Sequence, residues 1–240
     1  MTVLPVVGLI VAKAPVPGLA KTRLAASIGA RAAADIAAAS LLDSLDAMIA
    51  APLRNRVVAL AGDIDAGCRA DEIRECLTEF TVVPQRGADF AERLANAHHD
   101  AADATGHRTL LQIGMDTPQV SADMLDECAR ELLGAQAVLG LAKDGGWWVL
   151  GVSDTGMAEC LRGVPMSRWD TGALTLAALY AGGIDVRLVA ELADFDTVED
   201  LEAVRRVCPA GSRFVEATRV RGRWPAAGPS PVGQDQVVEG

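Results

Sequence analysis

Short apolar runs alternate with longer mixed stretches along this chain, and that alternation restricts the fold more than any other feature. The runs fall at about 6–13, 56–61, 80–84, 108–114, 137–142, 147–152 and 184–189. Runs of this length, apolar throughout, read as strands buried on both faces. Helical stretches lie between them, near 21–50, 87–104, 121–133, 170–182 and 197–207, with Ser121 and Asp123 starting one helix and Gly134 ending it. The order implies an α/β fold with a mostly parallel, layered sheet. At 240 residues, half of them hydrophobic, the chain can bury a full core, and one domain is expected over residues 1–222. Residues 223–240, rich in Pro and Gly, have the composition of a tail that cannot fold alone.

In open α/β sheets the carboxyl ends of the strands open onto the crevice where ligands bind. Three strand exits here carry charge. Asp116 follows the run Leu110-Leu111-Gln112-Ile113-Gly114-Met115 and precedes Thr117-Pro118. A carboxylate there can hold a hard cation, although Asp before Thr-Pro is also a common turn start. A second exit, after Val186 to Val189, carries Asp194 and Asp196 just ahead of Thr197-Val198-Glu199-Asp200. That tetrad resembles a capping box, which accounts for Thr197, Glu199 and Asp200 but leaves Asp194 and Asp196 unexplained. The third exit follows Val6 to Val11 and carries Lys13, Lys21 and Arg23 with Thr22, at the start of an Ala-rich helical stretch. Cations beside a helix start suit phosphate, and a solvated basic loop is the plain reading. With only Gly18 present, neither a Walker loop nor a dinucleotide fingerprint fits. Taken together, the exits describe carboxylates Asp116 and Asp196 holding Mg²⁺ or Mn²⁺, the metal bridging a diphosphate, and Lys13, Lys21 and Arg23 neutralising the remaining charge.

Two further segments sit beside strands. Asp144-Gly145-Gly146 separates two apolar runs, and Asp-Gly is the strongest short hairpin signal. The adjacent Trp147 and Trp148 must point to opposite faces of the following strand, so one can stack on a sugar or acceptor while the other fills core. Gln85-Arg86-Gly87 follows the run Phe80 to Pro84 and by itself reads as an ordinary loop, in which Gln85 can offer a donor and an acceptor to a base edge and Gly87 can allow close approach.

Five ordered motifs, between about Gly8 and Leu201, give the chain a family resemblance. They are Ala12-Lys13-Ala14-Pro15-Val16-Pro17-Gly18 with Lys21-Thr22-Arg23-Leu24, Gln85-Arg86-Gly87, Gly114-Met115-Asp116-Thr117-Pro118, Asp144-Gly145-Gly146-Trp147-Trp148, and Asp194-Phe195-Asp196-Thr197. The chain resembles the DUF2064 family of GT-A type nucleotide-diphospho-sugar transferases, some of which are described as arsenosugar-biosynthesis glycosyltransferases. The resemblance implies a three-layer, Rossmann-like GT-A fold and a nucleotide-dependent transferase. Lys13, Lys21 and Arg23 would lie near the phosphates, and Asp116 and Asp196 near the metal. Many glycosyltransferases have two acids in a D-x-D motif, where this chain has Gly114 and Asp116, so Asp196 must complete the site. The chain also departs from the family at Ala88-Asp89-Phe90-Ala91-Glu92-Arg93 and at Met166-Ser167-Arg168-Trp169.

The expected activity is glycosyl transfer from a nucleotide sugar to an acceptor, with Asp116, Lys21 and Arg23 acting on the departing diphosphate. Nucleotidyl transfer from an NTP, releasing pyrophosphate, is the rival, and a non-catalytic nucleotide-binding module is a third possibility. His98-His99-Asp100 lacks zinc-ligand spacing and reads as a solvated helix face. Five scattered cysteines suit reduced thiols in a cytoplasmic protein. A net charge of −10 opposes nucleic-acid binding, and no apolar run is long enough to span a membrane.

Overall fold

The computed structural model describes residues 2–219. Seven strands form one sheet: β1 (Leu4–Lys13), β2 (Leu53–Ala61), β3 (Thr81–Pro84), β4 (Leu110–Ile113), β5 (Ala137–Leu141), β6 (Trp147–Val152) and β7 (Val186–Leu188). Each falls on one of the apolar runs. Their spatial order is β3-β2-β1-β4-β6-β5-β7. Only β6 runs against its neighbours, pairing antiparallel with β4 and β5, while β1, β2, β3 and β4 pair parallel, as do β5 and β7. The reversal follows from the Asp144-Gly145-Gly146 turn, which returns the chain as a hairpin.

Helices cover both faces of the sheet. Along β1, Val6, Ile10 and Ala12 face one core and Val7, Leu9 and Val11 the other, which is why that strand reads as an unbroken apolar run. On the first face lie α2 (Ala30–Ala50), α3 (Ala70–Leu77) and α5 (Ala122–Leu133). On the second lie α4 (Phe90–Thr105), a 3₁₀ segment at Thr155–Gly163 and α6 (Thr171–Ala181). A satellite core joins α1 (Thr22–Ile28), α2, α7 (Val198–Val207) and α8 (Arg213–Arg219) around Phe195 and Phe214, whose rings are 4.7 Å apart. This is the three-layer GT-A architecture, as expected.

Several local expectations need correcting. The stretch 21–50 is two helices rather than one, because the backbone turns at Gly29. The α1 portion is only seven residues long, so a long-helix dipole does not stand behind Lys21 and Arg23. The helices α3 and α8 and the 3₁₀ segment were not expected at all. His98-His99-Asp100 is not a solvated face: His98 is fully buried against the sheet, while His99 pairs with Glu159 at 2.6 Å and Asp100 with Arg86. Ser121 does cap α5, accepting from the Met124 N–H, and the Asp200 carboxylate accepts from the Thr197 N–H at 2.8 Å as a capping box requires. No disulfide joins any of the five Cys residues, and among the described residues no helix is long and apolar enough to cross a membrane. The expected tail, 223–240, and its boundary lie outside the described residues.

Candidate active site

The exits of β1, β4 and β7 converge. Lys21 caps the start of α1 with a left-handed backbone, φ 47° and ψ 52°, a conformation uncommon for a residue other than glycine. That turn sends its side chain inward, where it is only 6% exposed. The ammonium lies 3.0 Å from Asp116 Oδ2, which follows β4, and 2.8 Å from Asp196 Oδ1, which follows β7. It also donates to the Phe195 carbonyl at 2.6 Å and sits 4.3 Å above the centre of the Phe195 ring. Burial alone would lower its pKa, but attraction to the two carboxylates outweighs burial and leaves the value above the ordinary one. Two aspartates distant in sequence therefore face each other across one cation.

Around this centre the remaining charges fall into place. Arg23 reaches Asp196 Oδ2 at 3.3 Å, and Lys13, at the end of β1, donates to the Leu19 carbonyl at 2.9 Å. Lys13, Lys21, Arg23, Asp116 and Asp196 line one cavity of about 310 Å³. It shares Arg23, Asp116, Ser167 and Asp196 with a larger cleft of about 460 Å³. The larger cleft is lined by the acids Asp144 and Asp194 as well as Asp116 and Asp196, and by the apolar side chains of Phe90, Leu94, Trp147, Met166 and Trp169. Asp194 is pushed up to about 6, chiefly by burial and then by repulsion from Asp144, with Lys21 opposing.

The hairpin builds one wall. Asp144 Oδ1 accepts from the Gly146 N–H at 2.8 Å, which closes the turn. Gly145 has φ 92°, and a Cβ there would overlap the Trp169 carbonyl oxygen. Its own carbonyl accepts from the Gly172 N–H at 2.7 Å, so turn and α6 meet backbone to backbone. The adjacent tryptophans divide as the strand period requires: Trp147 lines the cleft, while Trp148 is buried on the other face and donates to the Ala190 carbonyl at 2.8 Å.

Gln85, Arg86 and Gly87, expected beside the base, do not line either cavity. The Gln85 amide donates to the carbonyls of Ala12 at 2.8 Å and Ala59 at 3.0 Å, tying β3 to the ends of β1 and β2. Arg86 is held by Asp100 on α4, with contacts of 2.6 to 2.9 Å. Gly87, at φ 143°, lets the loop pack on the first turn of α4, where a Cβ would stand 2.8 Å from Glu92 Cβ. All three residues make contacts within the fold.

Gln112, Leu94 and Thr171 also line the cleft without having been expected there, as do Phe90, Ser167 and Trp169 from the two segments where the chain departs from the family. Gln112 is the lone polar residue within the β4 run, and that interruption was a readable signal. It is buried and lines the cleft. Behind it His98 of α4 faces Gln112 as its side-chain partner, and burial, which outweighs that contact, lowers the imidazole to about 4, so it stays neutral. Trp169 is 79% exposed beside a left-handed Ser167 at φ 59°, and an exposed aromatic is conspicuous in a chain with so few.

Among the described residues no three His, Cys, Asp or Glu side chains gather to hold a metal by themselves. Asp116 and Asp196 are nonetheless a hard-oxygen pair around one point, 43% and 38% exposed. That donor set fits Mg²⁺ or Mn²⁺, which commonly take one or two carboxylates and complete their shell with substrate phosphates and water.

A seven-stranded sheet with one reversed strand, and a charged cleft at its carboxyl edge, define the GT-A class of fold. The chain belongs to the DUF2064 family: residues 44–168 match the family described as "Uncharacterized protein conserved in bacteria". Similar solved structures include a protein from Desulfovibrio desulfuricans G20, provisionally named a nucleotide-diphospho-sugar transferase. It is 23% identical, with a TM-score of 0.78, over 92% of this chain and 95% of that one. A cytidylyltransferase from Leptospira borgpetersenii is 16% identical, with a TM-score of 0.56, over 90% and 93%. A nucleotidyl transferase from Methanothermobacter thermautotroptrophicus is 18% identical, with a TM-score of 0.52, over 88% and 98%. These likenesses concern the fold. No curated protein sequence matches the chain.

Proposed function

We propose that this protein is a metal-dependent transferase acting on an activated nucleotide, and that it transfers a glycosyl group from a nucleotide-diphospho-sugar. The observation that carries this reading is the meeting of Asp116 and Asp196 around a single cation at the mouth of a cleft. Carboxylates from two sheet exits, brought together beside basic side chains, suit a diphosphate better than a neutral ligand. Mg²⁺ or Mn²⁺, when bound by Asp116 and Asp196, supplies Lewis-acid stabilisation of the departing diphosphate.

In this reading Lys13 and Arg23 hold phosphate oxygens from the smaller cavity, and Lys21 offsets charge that develops on the leaving oxygen. The bond between the anomeric carbon and the diphosphate oxygen breaks with its electron pair leaving on the nucleoside diphosphate, and an acceptor hydroxyl oxygen bonds to that carbon as its proton passes to solvent. Asp144, Gly146 and Trp147 border the sugar and the acceptor, with Gly145 fixing the turn that presents them and Trp148 anchoring the strand from the core. The apolar walls from Phe90 to Trp169 exclude water and give a sugar ring faces to stack on.

A product assay tests the proposal. Release of nucleoside diphosphate from a nucleotide-sugar mixture supports glycosyl transfer. Pyrophosphate from NTPs assigns the same cleft to nucleotidyl transfer instead, and tight nucleotide binding without turnover reduces the protein to a binding module.

A further inference from the structure

Lys21 is bonded more completely than a phosphate ligand needs to be. A lysine ammonium has three N–H donors. All three are placed, on Asp116 Oδ2 at 3.0 Å, Asp196 Oδ1 at 2.8 Å and the Phe195 carbonyl at 2.6 Å, and the face of the Phe195 ring lies against the same group. The side chain is 6% exposed, and the backbone adopts a left-handed turn to put it there. Strain retained at a site of this kind points to a role for the side chain it positions.

We infer that Lys21 is a resident counter-ion standing in the place of the divalent metal, so that Mg²⁺ or Mn²⁺ enters between Asp116 and Asp196 only together with an anionic diphosphate. The inference rests on the metal assignment proposed above. Its ground is charge balance at the contact centre: Lys21 and Arg23 already offset Asp116 and Asp196 one for one. A divalent ion arriving alone would meet two carboxylates whose charge is already spent, with an ammonium beside it. A diphosphate arriving with the ion changes both terms. It supplies the missing negative charge, and it gives the ammonium phosphate oxygens to turn towards as the ion takes the carboxylates. The coupling is reciprocal by linkage, so metal tightens nucleotide as strongly as nucleotide tightens metal. Asp144 and Asp194 make the neighbouring wall acidic, but the ammonium's three donors are committed elsewhere.

Electron paramagnetic resonance of Mn²⁺ on the full chain tests this without any turnover. With MnCl₂ alone, wild type should bind weakly, and Lys21→Met should bind at least about tenfold more tightly because the competing charge is gone. The gain should vanish in Lys21→Met/Asp116→Asn. Adding GDP, UDP, CDP or ADP one at a time should restore Mn²⁺ binding in wild type for the nucleotide the site accepts. Equal affinities of wild type and Lys21→Met for MnCl₂ alone, including binding by neither, overturn the inference. Tight binding of MnCl₂ alone by wild type overturns it with no variant needed, and if Lys21→Met does not fold, Lys21→Gln is read in its place. Should Lys21→Met gain Mn²⁺ while no nucleotide promotes binding in wild type, the counter-ion role stands and the nucleotide reading fails.

Discussion

The loops that leave β1 and β3 both carry basic residues at the carboxyl edge of one sheet, and from sequence both are natural phosphate or base contacts. They end differently. Lys21 and Arg23 pair with Asp116 and Asp196, acids that themselves line the cleft, so their charge stays at the site. Arg86 pairs with Asp100 in the body of α4, and the Gln85 amide is spent on strand carbonyls. Asn96, from the same helix, donates to the Arg86 carbonyl at 2.7 Å and fixes the loop further. Where the partner stands decides what a basic residue at a strand end can do.

Five experiments break or sharpen this contrast. Asp116→Asn removes the β4 acid from the first loop's network and should cut turnover about a thousandfold while the fold survives, since the side chain is half exposed. Retention of metal-dependent nucleotide affinity in calorimetry would remove Asp116 from the site. On the second side, α4 is tied to the sheet by His98. The unfolded imidazole takes a proton below about pH 6.5 and the native one only below about pH 4, so wild type should lose about 3 kcal/mol as pH falls through that window. Asp194, raised to about 6, works in the opposite direction, because its native carboxyl is protonated before the unfolded one. His98→Leu deletes only the first effect, so urea midpoints of the variant should fall less, or even rise, towards pH 4; parallel curves would contradict the buried neutral imidazole.

Smaller effects follow. Gly87→Ala should cost about 2 kcal/mol in urea unfolding, since a Cβ meets α4 at a φ that side chains rarely adopt. An unshifted midpoint would mean that the loop packs loosely. Arg23→Gln should weaken nucleotide binding about tenfold. Arg86→Gln should change it less than about twofold. If the two arginine variants lose affinity equally in the same titration, the distinction between the loops collapses.

The strands were legible because strands buried on both faces carry uninterrupted apolar runs, and the hairpin because Asp-Gly leaves the backbone little choice. Helices with weaker signals were not. The cap of α3, Arg69, is left-handed and makes no side-chain capping bond; α8 spans seven residues; and the Ala-rich stretch hides the turn at Gly29. Asp116, Asp196, Lys13, Lys21 and Arg23 could be gathered from sequence because strand ends share one edge of the sheet. Phe90 and Trp169 come from elements on the second face of the sheet, and no strand exit announces them. The claim of Asp100 on Arg86 was invisible for a related reason: pairing across a loop and a helix depends on where α4 docks. His98 shows the limit of helix-face reasoning, because a polar residue on a short polar run can still be the one that faces the sheet.

The joint between Gly145 and Gly172 sets one dimension of the cleft. With main chain against main chain, and the Trp169 backbone pressed on Gly145, the strand that bears Trp147 and the loop that bears Trp169 keep a constant gauge. A bulkier substrate cannot be accommodated by spreading them without breaking that junction. If the cleft holds the substrate as proposed, selectivity for size is to be altered at the indole rings, by trimming, and not by loosening the turn beneath them.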